Sequence, residues 1–196
     1  QENQMQELIQ DIFIVSIPVL FISVFGTGLV RKIALSRKIL DLPTKRSSHL
    51  KATPTGGGIA IVAAFYAGLA VLVYGNKFDL LDIQVLSMGF VLAITGFVDD
   101  LKHLDFRWRI AVHLCAGLIV ALILGDIPDI QQDGLQFNMG LLTVPITVLT
   151  LIWATNLYNF MDGTDGLAGS ECCFIVLAAA GLLVLDGNTM LSLVCL

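Results

Sequence analysis

Leu141-Leu-Thr-Val-Pro-Ile-Thr-Val-Leu-Thr-Leu-Ile-Trp-Ala154 runs straight into Thr155-Asn156-Leu-Tyr-Asn159-Phe-Met-Asp162-Gly163-Thr-Asp165-Gly166-Leu-Ala-Gly169. The first half is apolar and reads as a membrane span, while the second sets two amides, two carboxylates and three glycines against its end. Acids just outside a span are costly to place and mark chemistry or ion handling. Asn156 and Asn159 stand one helical turn apart, so their side chains share a face, and Asp162 continues the row. Gly163 and Gly166 allow sharp turns and close approach of backbone N–H groups to a ligand. An all-oxygen donor set of this kind suits Mg²⁺, which also takes phosphate oxygens from its substrate. Any one of these residues could be no more than a helix cap in a polar turn. Together they outweigh that reading.

Outward from this stretch, composition sets the solvent. The 196 residues are 56% hydrophobic and 14% charged, with a mean hydropathy of +0.85, which excludes an ordinary soluble domain. Apolar segments at 12–30, 58–74, 83–98, 110–124, 141–155 and 172–185, with another starting near Met190, predict an all-α polytopic membrane bundle forming one domain. The first segment follows the acids Glu2, Glu7 and Asp11 and lacks a basic flank, so it reads as a span and not as a cleaved signal. Gly134, in the polar stretch 125–140, suggests a small hairpin.

Charge orients the spans. Arg31, Lys32, Arg37, Lys38, Lys45, Arg46 and Lys51 fall in the first loop and Lys102, Arg107 and Arg109 in the third, with Lys77 alone on the other side. The positive-inside rule then predicts an outer N-terminus and inner, cytoplasmic loops at 31–57, 99–109 and 156–171. The loop 125–140 carries Asp126, Asp129 and Asp133 and no base, as expected outside.

Each inner loop has its own polar constellation. The first, Asp41-Leu-Pro43-Thr-Lys45-Arg46-Ser-Ser-His49-Leu-Lys51-Ala-Thr-Pro54-Thr-Gly56-Gly57-Gly58, combines bases and hydroxyls with a glycine run at a helix entrance. Such an entrance exposes free N–H groups and suits phosphate, although the order of Lys and Gly is not that of a Walker loop. Arg31, Lys32, Arg37 and Lys38 read as anchors to the inner leaflet. Lys45, Arg46, His49 and Lys51 are candidate substrate contacts. The second constellation, Asp99-Asp100 with His103, Arg107, Trp108 and Arg109, ends an apolar run. Adjacent carboxylates there could supply a base or contact a metal-bound phosphate, whereas the bland alternative is a surface pair. The third is the Asn-Asp-Gly stretch. Excess carboxylate in one inner loop and basic neighbours in the others suit a cation and a polyanionic substrate.

Three ordered motifs, D-x-P-x-x-R-x-x-H with Pro54 and Gly56-Gly57 behind it, Asp99-Asp100 with Leu104 and Arg107, and N-x-x-N-x-x-D-G-x-D-G-L from Asn156 to Leu167, together resemble a family. The chain is similar to the polyprenyl-phosphate N-acetylhexosamine-1-phosphate transferases, the group containing MraY and WecA, over about residues 12 to 190. Within it, Arg46-Ser-Ser-His49, Trp108-Arg109 with His113, and Asn156 to Gly163 look most like the WbpL-type branch that initiates O-antigen. The resemblance implies transfer of HexNAc-1-phosphate from a UDP-amino sugar to undecaprenyl phosphate, with release of UMP. It implies a Mg²⁺ cofactor, with Mn²⁺ able to substitute, and Asn159 as its ligand. It places Asp99 and Asp100 at the phosphates, Asp165 and Lys51 at the uracil end, and Lys45, Arg46, His49 and Asp162 among the substrate contacts. A two-step route through an aspartyl intermediate is left open. The implied setting is a bacterial inner membrane, with the lipid bilayer and a second copy as partners and no nucleic acid.

Family members have about ten spans and a later G-D-x-G-S motif that completes the metal site. Neither occurs between Gln1 and Leu196, so the expectation is a C-terminally truncated piece of a longer, active protein. A transporter would also place acids near spans, but would prefer charges at mid-membrane and symmetric broken helices. A purely structural subunit would not need the Asn-Asp-Gly cluster. Cys115, Cys172, Cys173 and Cys195 lack metal-ligand spacing and read as packing residues, and His113 as a hydrogen-bonding partner for a neighbouring helix.

The charge asymmetry makes a direct forecast. In intact cells, a membrane-impermeant thiol reagent should label Gln132→Cys and not Ser47→Cys. External labelling at position 47 would overturn the orientation.

Overall fold

In hydrocarbon a backbone N–H or C=O finds no water, so a spanning segment must satisfy its own polar groups, which a helix does. The computed structural model describes residues 2–41, 52–75, 78–102, 104–125, 130–132, 135–137, 140–161, 166–187 and 189–195. Its helices are α1 (Glu2–Arg37), α2 (Gly58–Tyr74), α3 (Leu80–Lys102), α4 (Phe106–Leu124), α5 (Thr143–Met161), α6 (Leu167–Leu185) and α7 (Thr189–Cys195). Among the described residues five helices are long and apolar enough to cross a membrane, and α2 is a shorter apolar helix of 17 residues. The all-α polytopic class is as the sequence indicates. The helices run past the apolar segments because a helix that serves its own hydrogen bonds can continue into water. At about 1.5 Å per residue, the 36 residues of α1 reach well beyond a hydrocarbon layer of about 30 Å.

The chain forms two compact units, Gln1–Phe78 with Met161–Leu196, and Asp79–Phe160. In the first, α1 lies against α2. Gly26 meets Ala60, and Val19 and Val15 meet Gly68, so the two helices run antiparallel. The buried positions of α2 include Ala60, Ala64 and Gly68, a small residue at every fourth place along one stripe. Val15 and Leu72 form a buried pair, flanked by Ile12, Val19, Phe78 and Val184. In the second unit α3 packs on α4, and Gly117 of α4 approaches the backbone and side chain of Val148 in α5. The buried residues of α4 are again mostly small, Ala116, Gly117 and Ala121 with Val120.

Large apolar side chains face outward: Phe25 is 70% exposed, Leu122 65% and Trp153 67%. In water such a surface would be an aggregation liability. Acyl chains are as apolar as leucine, so no hydrophobic force pulls these residues inward, and close backbone packing decides the interfaces. That is why small residues make up the contacts.

Two short ladders close the polar connections. Leu40 and Asp41 (β1) pair antiparallel with Pro54 and Thr53 (β2), which brings together the ends of the first basic loop. The approach to β1 is a left-handed turn. Lys38 has φ 56°, and the N–H of Ile39 donates to Ala34 O at 2.9 Å, a pattern that closes many helix C-termini. The expected hairpin is present: Ile130–Gln132 (β3) pairs with Leu135–Phe137 (β4), joined by Asp133-Gly134.

The packing yields a test. A Cβ on Gly68 would lie 2.6 Å from Val19 Cγ2, on a β-branched side chain with little freedom to move. In the intact protein Gly68→Ala should cost about 1–3 kcal/mol, seen as a lower unfolding midpoint in detergent, and Val19→Ala in the same chain should recover much of it. Gly181→Ala, with nothing within 4 Å, should be neutral or slightly stabilising. Equal effects at both glycines would refute the α1–α2 contact.

Candidate active site

The best-defined polar corner joins α3 to α4. Only residues 103–105 separate the two helices, which forces the first turn of α4 back beside the last turn of α3. Asp105 starts α4 as its N-cap, its carboxylate accepting from the Arg107 N–H at 2.9 Å. Asp99, in the last turn of α3, is held from two directions. The Leu104 N–H donates to its Oδ1 at 2.8 Å, and Arg109 Nη1 donates to its Oδ2 at 2.9 Å. The ion pair is part-buried, with side-chain exposures of 22% for Asp99 and 29% for Arg109. Asp100, about 100° further round the helix, is exposed. Asp99 is thus tied into the corner, and Asp100 is the more exposed of the two.

Arg109 was not singled out as a site residue from the sequence, and the motif pointed to Arg107. Arg107 instead sits over the Phe106 ring, 5.9 Å from its centroid. The available signal was Asp105, which fixes where α4 begins. The rotational phase that brings Arg109 and not Arg107 to Asp99 depends on how the two helices pack.

The Asn-Asp-Gly stretch begins on α5, which continues to Met161. Asn156 and Asn159 therefore lie on helix, three residues apart, and both are exposed. The Asn156 amide nitrogen donates to Ile152 O at 2.8 Å, which fixes that side chain against its own helix. Gly166, the N-cap of α6, has φ 76°, a left-handed conformation that disfavours other residues and accounts for the glycine there. Its carbonyl accepts from the Ser170 N–H at 2.9 Å. Among the described residues no three His, Cys, Asp or Glu side chains come together, and no hydrogen bond joins Asn159 to Asp99. The donor that Asn159 offers is a neutral amide oxygen, exposed at a helix end, which fits a hard cation completed by phosphate oxygens.

The remaining candidates, Lys45, Arg46, His49, Lys51, Asp162 and Asp165, lie outside the described residues. What frames the first of these groups is visible: the β1–β2 ladder at the base of the loop and the start of α2. There the N–H groups of Ile59 and Ala60 already bond to Gly56 O and Gly57 O, both at 3.2 Å, so a phosphate cradle would fall to the donors before them. His113, expected to bond a neighbouring helix, has a buried Nδ1 with no partner among the described residues. The four cysteines are free, and Cys115, Cys172 and Cys173 are exposed on their helices.

Residues 83–196 match the model of a family described as Glycosyl transferase family 4, a region that takes in both the corner and the Asn-Asp-Gly stretch. The chain is 28% identical over 172 residues to a probable undecaprenyl-phosphate N-acetylglucosaminyl 1-phosphate transferase of Bacillus subtilis (strain 168), covering 85% of this chain and 46% of the relative. It is 28% identical over 163 residues to a phospho-N-acetylmuramoyl-pentapeptide-transferase of Chlorobium luteolum, covering 71% and 42%. To a decaprenyl-phosphate N-acetylglucosaminephosphotransferase of Mycobacterium leprae it is 30% identical over 176 residues, covering 82% and 43%. The chain thus spans less than half the length of each of these relatives.

The corner can be probed through its cap. Asparagine caps a helix as well as aspartate, so Asp105→Asn should leave stability and activity of the intact protein nearly unchanged. Asp105→Ala should cost about 1 kcal/mol in thermal unfolding. Equal loss from both substitutions would show that the charge of Asp105, and not its capping bond, is what matters.

Proposed function

This chain belongs to glycosyl transferase family 4, and from that membership we propose that, in the intact protein, it builds the catalytic face of a sugar-1-phosphate transferase acting on a membrane lipid. The donor is a UDP-linked N-acetylhexosamine and the acceptor undecaprenyl phosphate. The products are undecaprenyl-pyrophosphoryl sugar and UMP, and the product lipid starts an O-antigen or another cell-envelope glycan. The named relatives share the lipid-phosphate chemistry and differ in the sugar, which supports the reaction class more closely than any one amino sugar. The observation that carries the reading is the divided pair at the end of α3. Asp99 is tied into the corner and Asp100 is exposed, both in the last turn of a helix long and apolar enough to cross a membrane.

In the transfer, an oxygen of the lipid phosphate attacks the β-phosphorus of the nucleotide sugar. The bond from that phosphorus to the oxygen it shares with the α-phosphate breaks, and UMP leaves with that oxygen. Two anions must be brought into line, so most of the acceleration comes from positioning and charge neutralisation. Asp100 orients the attacking phosphate or takes its proton. Lys45, Arg46 and His49 of the first inner loop, which the positive-inside rule places in the cytoplasm, bind the donor's phosphates, and Lys51, Asp162 and Asp165 bind the rest of the nucleotide. Asn159 would hold a Mg²⁺ ion, for which Mn²⁺ could substitute, and the chemistry such an ion supplies is neutralisation of pyrophosphate charge. A homodimer in the bacterial inner membrane fits this scheme without being required by it.

Kinetics on the intact protein in membranes test the roles. Asp100→Asn should lower kcat by about 10²-fold or more with little change in KM for the UDP-sugar, as expected for a group acting on the reacting phosphate. Asn159→Ala and EDTA should each abolish turnover, with Mg²⁺ or Mn²⁺ restoring only the EDTA-treated wild type. Full activity in EDTA, or an Asp100→Asn enzyme close to wild type, would refute these assignments.

A further inference from the structure

We propose that the outer face of α4 is a seat for an anionic phospholipid, with Arg107 on the lipid phosphate and an acyl chain along the leucines that continue the face. The proposal is independent of the transferase reading, since it uses none of the residues assigned to that reaction.

Helical phase is the first observation. Residues two apart on a helix differ by about 200°, so Arg107 and Arg109 head opposite faces of α4. Arg109 leads the packed face, on which Ala116 and Val120 are buried. Arg107 leads the other. Ala111, Leu114, Leu118 and Leu122 follow it at steps of four, three, four and four, which keep to one face, and all are exposed. Phe106 and Trp108 flank Arg107 on either side and are also exposed, Trp108 by 69%.

Charge is the second. Among the described residues the ion pair at this corner belongs to Arg109. The guanidinium of Arg107 rests over the Phe106 ring, and the Asp105 carboxylate accepts from the Arg107 backbone N–H. Lys102, exposed in the last turn of α3, adds a second base at the corner. No Lys or Arg lies between Ile110 and Leu196, so the far end of α4 and the exposed Trp153 of α5 have no base near them in sequence. The outer face of α4 therefore has the polarity of an amphiphile, a cation at one end and alkyl side chains along the rest. The 19 residues of α4 span about 28 Å, close to a hydrocarbon core of about 30 Å, and a bilayer fitted to that length puts Arg107 and Trp108 at the headgroups. Arginine joins phosphate through paired N–H donors, and an indole ring settles at that level. A zwitterionic headgroup brings its own cation to its phosphate, so a net-anionic one answers these bases better.

Quenching of Trp108 by brominated lipid tests the proposal, with the intact protein in nanodiscs of phosphatidylcholine. The Trp108 signal is the fluorescence of the wild type less that of Trp108→Phe, and the Trp153 signal is obtained likewise from Trp153→Phe. Brominated phosphatidylglycerol should half-quench Trp108 at a mole fraction about threefold to tenfold lower than brominated phosphatidylcholine does. Trp153 should respond equally to the two lipids. Arg107→Gln should abolish the preference at Trp108 and leave Trp153 quenching as it is, while Arg107→Lys, which keeps the charge, should retain part of it.

A second measurement needs no variant at position 107: in the wild type, 1 M salt should weaken the preference at Trp108, because screening acts on a charged headgroup and not on an acyl chain. Equal quenching of Trp108 by both lipids, a preference indifferent to salt, or one that survives Arg107→Gln overturns the proposal. Absence of quenching by either lipid would show that another segment of the intact protein covers this face, and overturns it too. Displacement of the phosphatidylglycerol by a single equivalent of undecaprenyl phosphate would make the face a seat for that lipid and overturn the assignment to a phospholipid.

Discussion

The absence of water in the bilayer core governs this molecule. Backbone groups must pair within each segment, so the spanning elements are helices, and charged side chains are pushed to the ends where water begins. A reaction between a water-soluble nucleotide sugar and a lipid phosphate has to happen at that boundary. Within the unit Asp79–Phe160, polar residues likewise stand at helix ends: Asp99 and Asp100 at the end of α3, Asn156 and Asn159 at the end of α5. The same constraint explains why the helix contacts are made by Ala60, Ala64, Gly68, Gly117 and Ala121 while Phe25 and Trp153 face outward.

At the α3–α4 corner this general placement becomes specific. A connection of three residues, a capping aspartate and one ion pair are enough to give two adjacent carboxylates different surroundings. Asp99 is half inside the corner with its charge matched by Arg109, and Asp100 is outside it. Neither the composition of the segment nor the bare DD pair distinguishes the two. The surrounding helix geometry does.

Much of the architecture was legible in the sequence because hydrophobic length is a strong, one-dimensional signal. The apolar segments predicted the helices, and Gly134 with its polar neighbours predicted the β3–β4 hairpin. The left-handed backbone at Gly166 followed from the need for a sharp turn after α5. Less legible were features that depend on rotation about a helix axis. Arg109 and Arg107 are two residues apart and chemically identical, yet one binds Asp99 and the other stacks on Phe106. Helix ends were also underestimated, since the polar turns of α1 and α3 continue past the apolar runs with good helix formers such as Glu, Gln and Lys. His113 was expected to find a partner across a helix interface, and its Nδ1 has none among the described residues.

The central claim is that the chain serves transfer of a phosphosugar, not of a sugar alone, to a lipid phosphate. The fate of the donor's β-phosphorus decides this most directly. Membranes containing the intact protein would be given undecaprenyl phosphate and a UDP-N-acetylhexosamine labelled with ³²P at the β-phosphate. The label should pass into the lipid fraction in step with unlabelled UMP. Label left in released UDP, with sugar alone appearing on the lipid, would mean that the bond broken lies at the sugar carbon and would contradict the account.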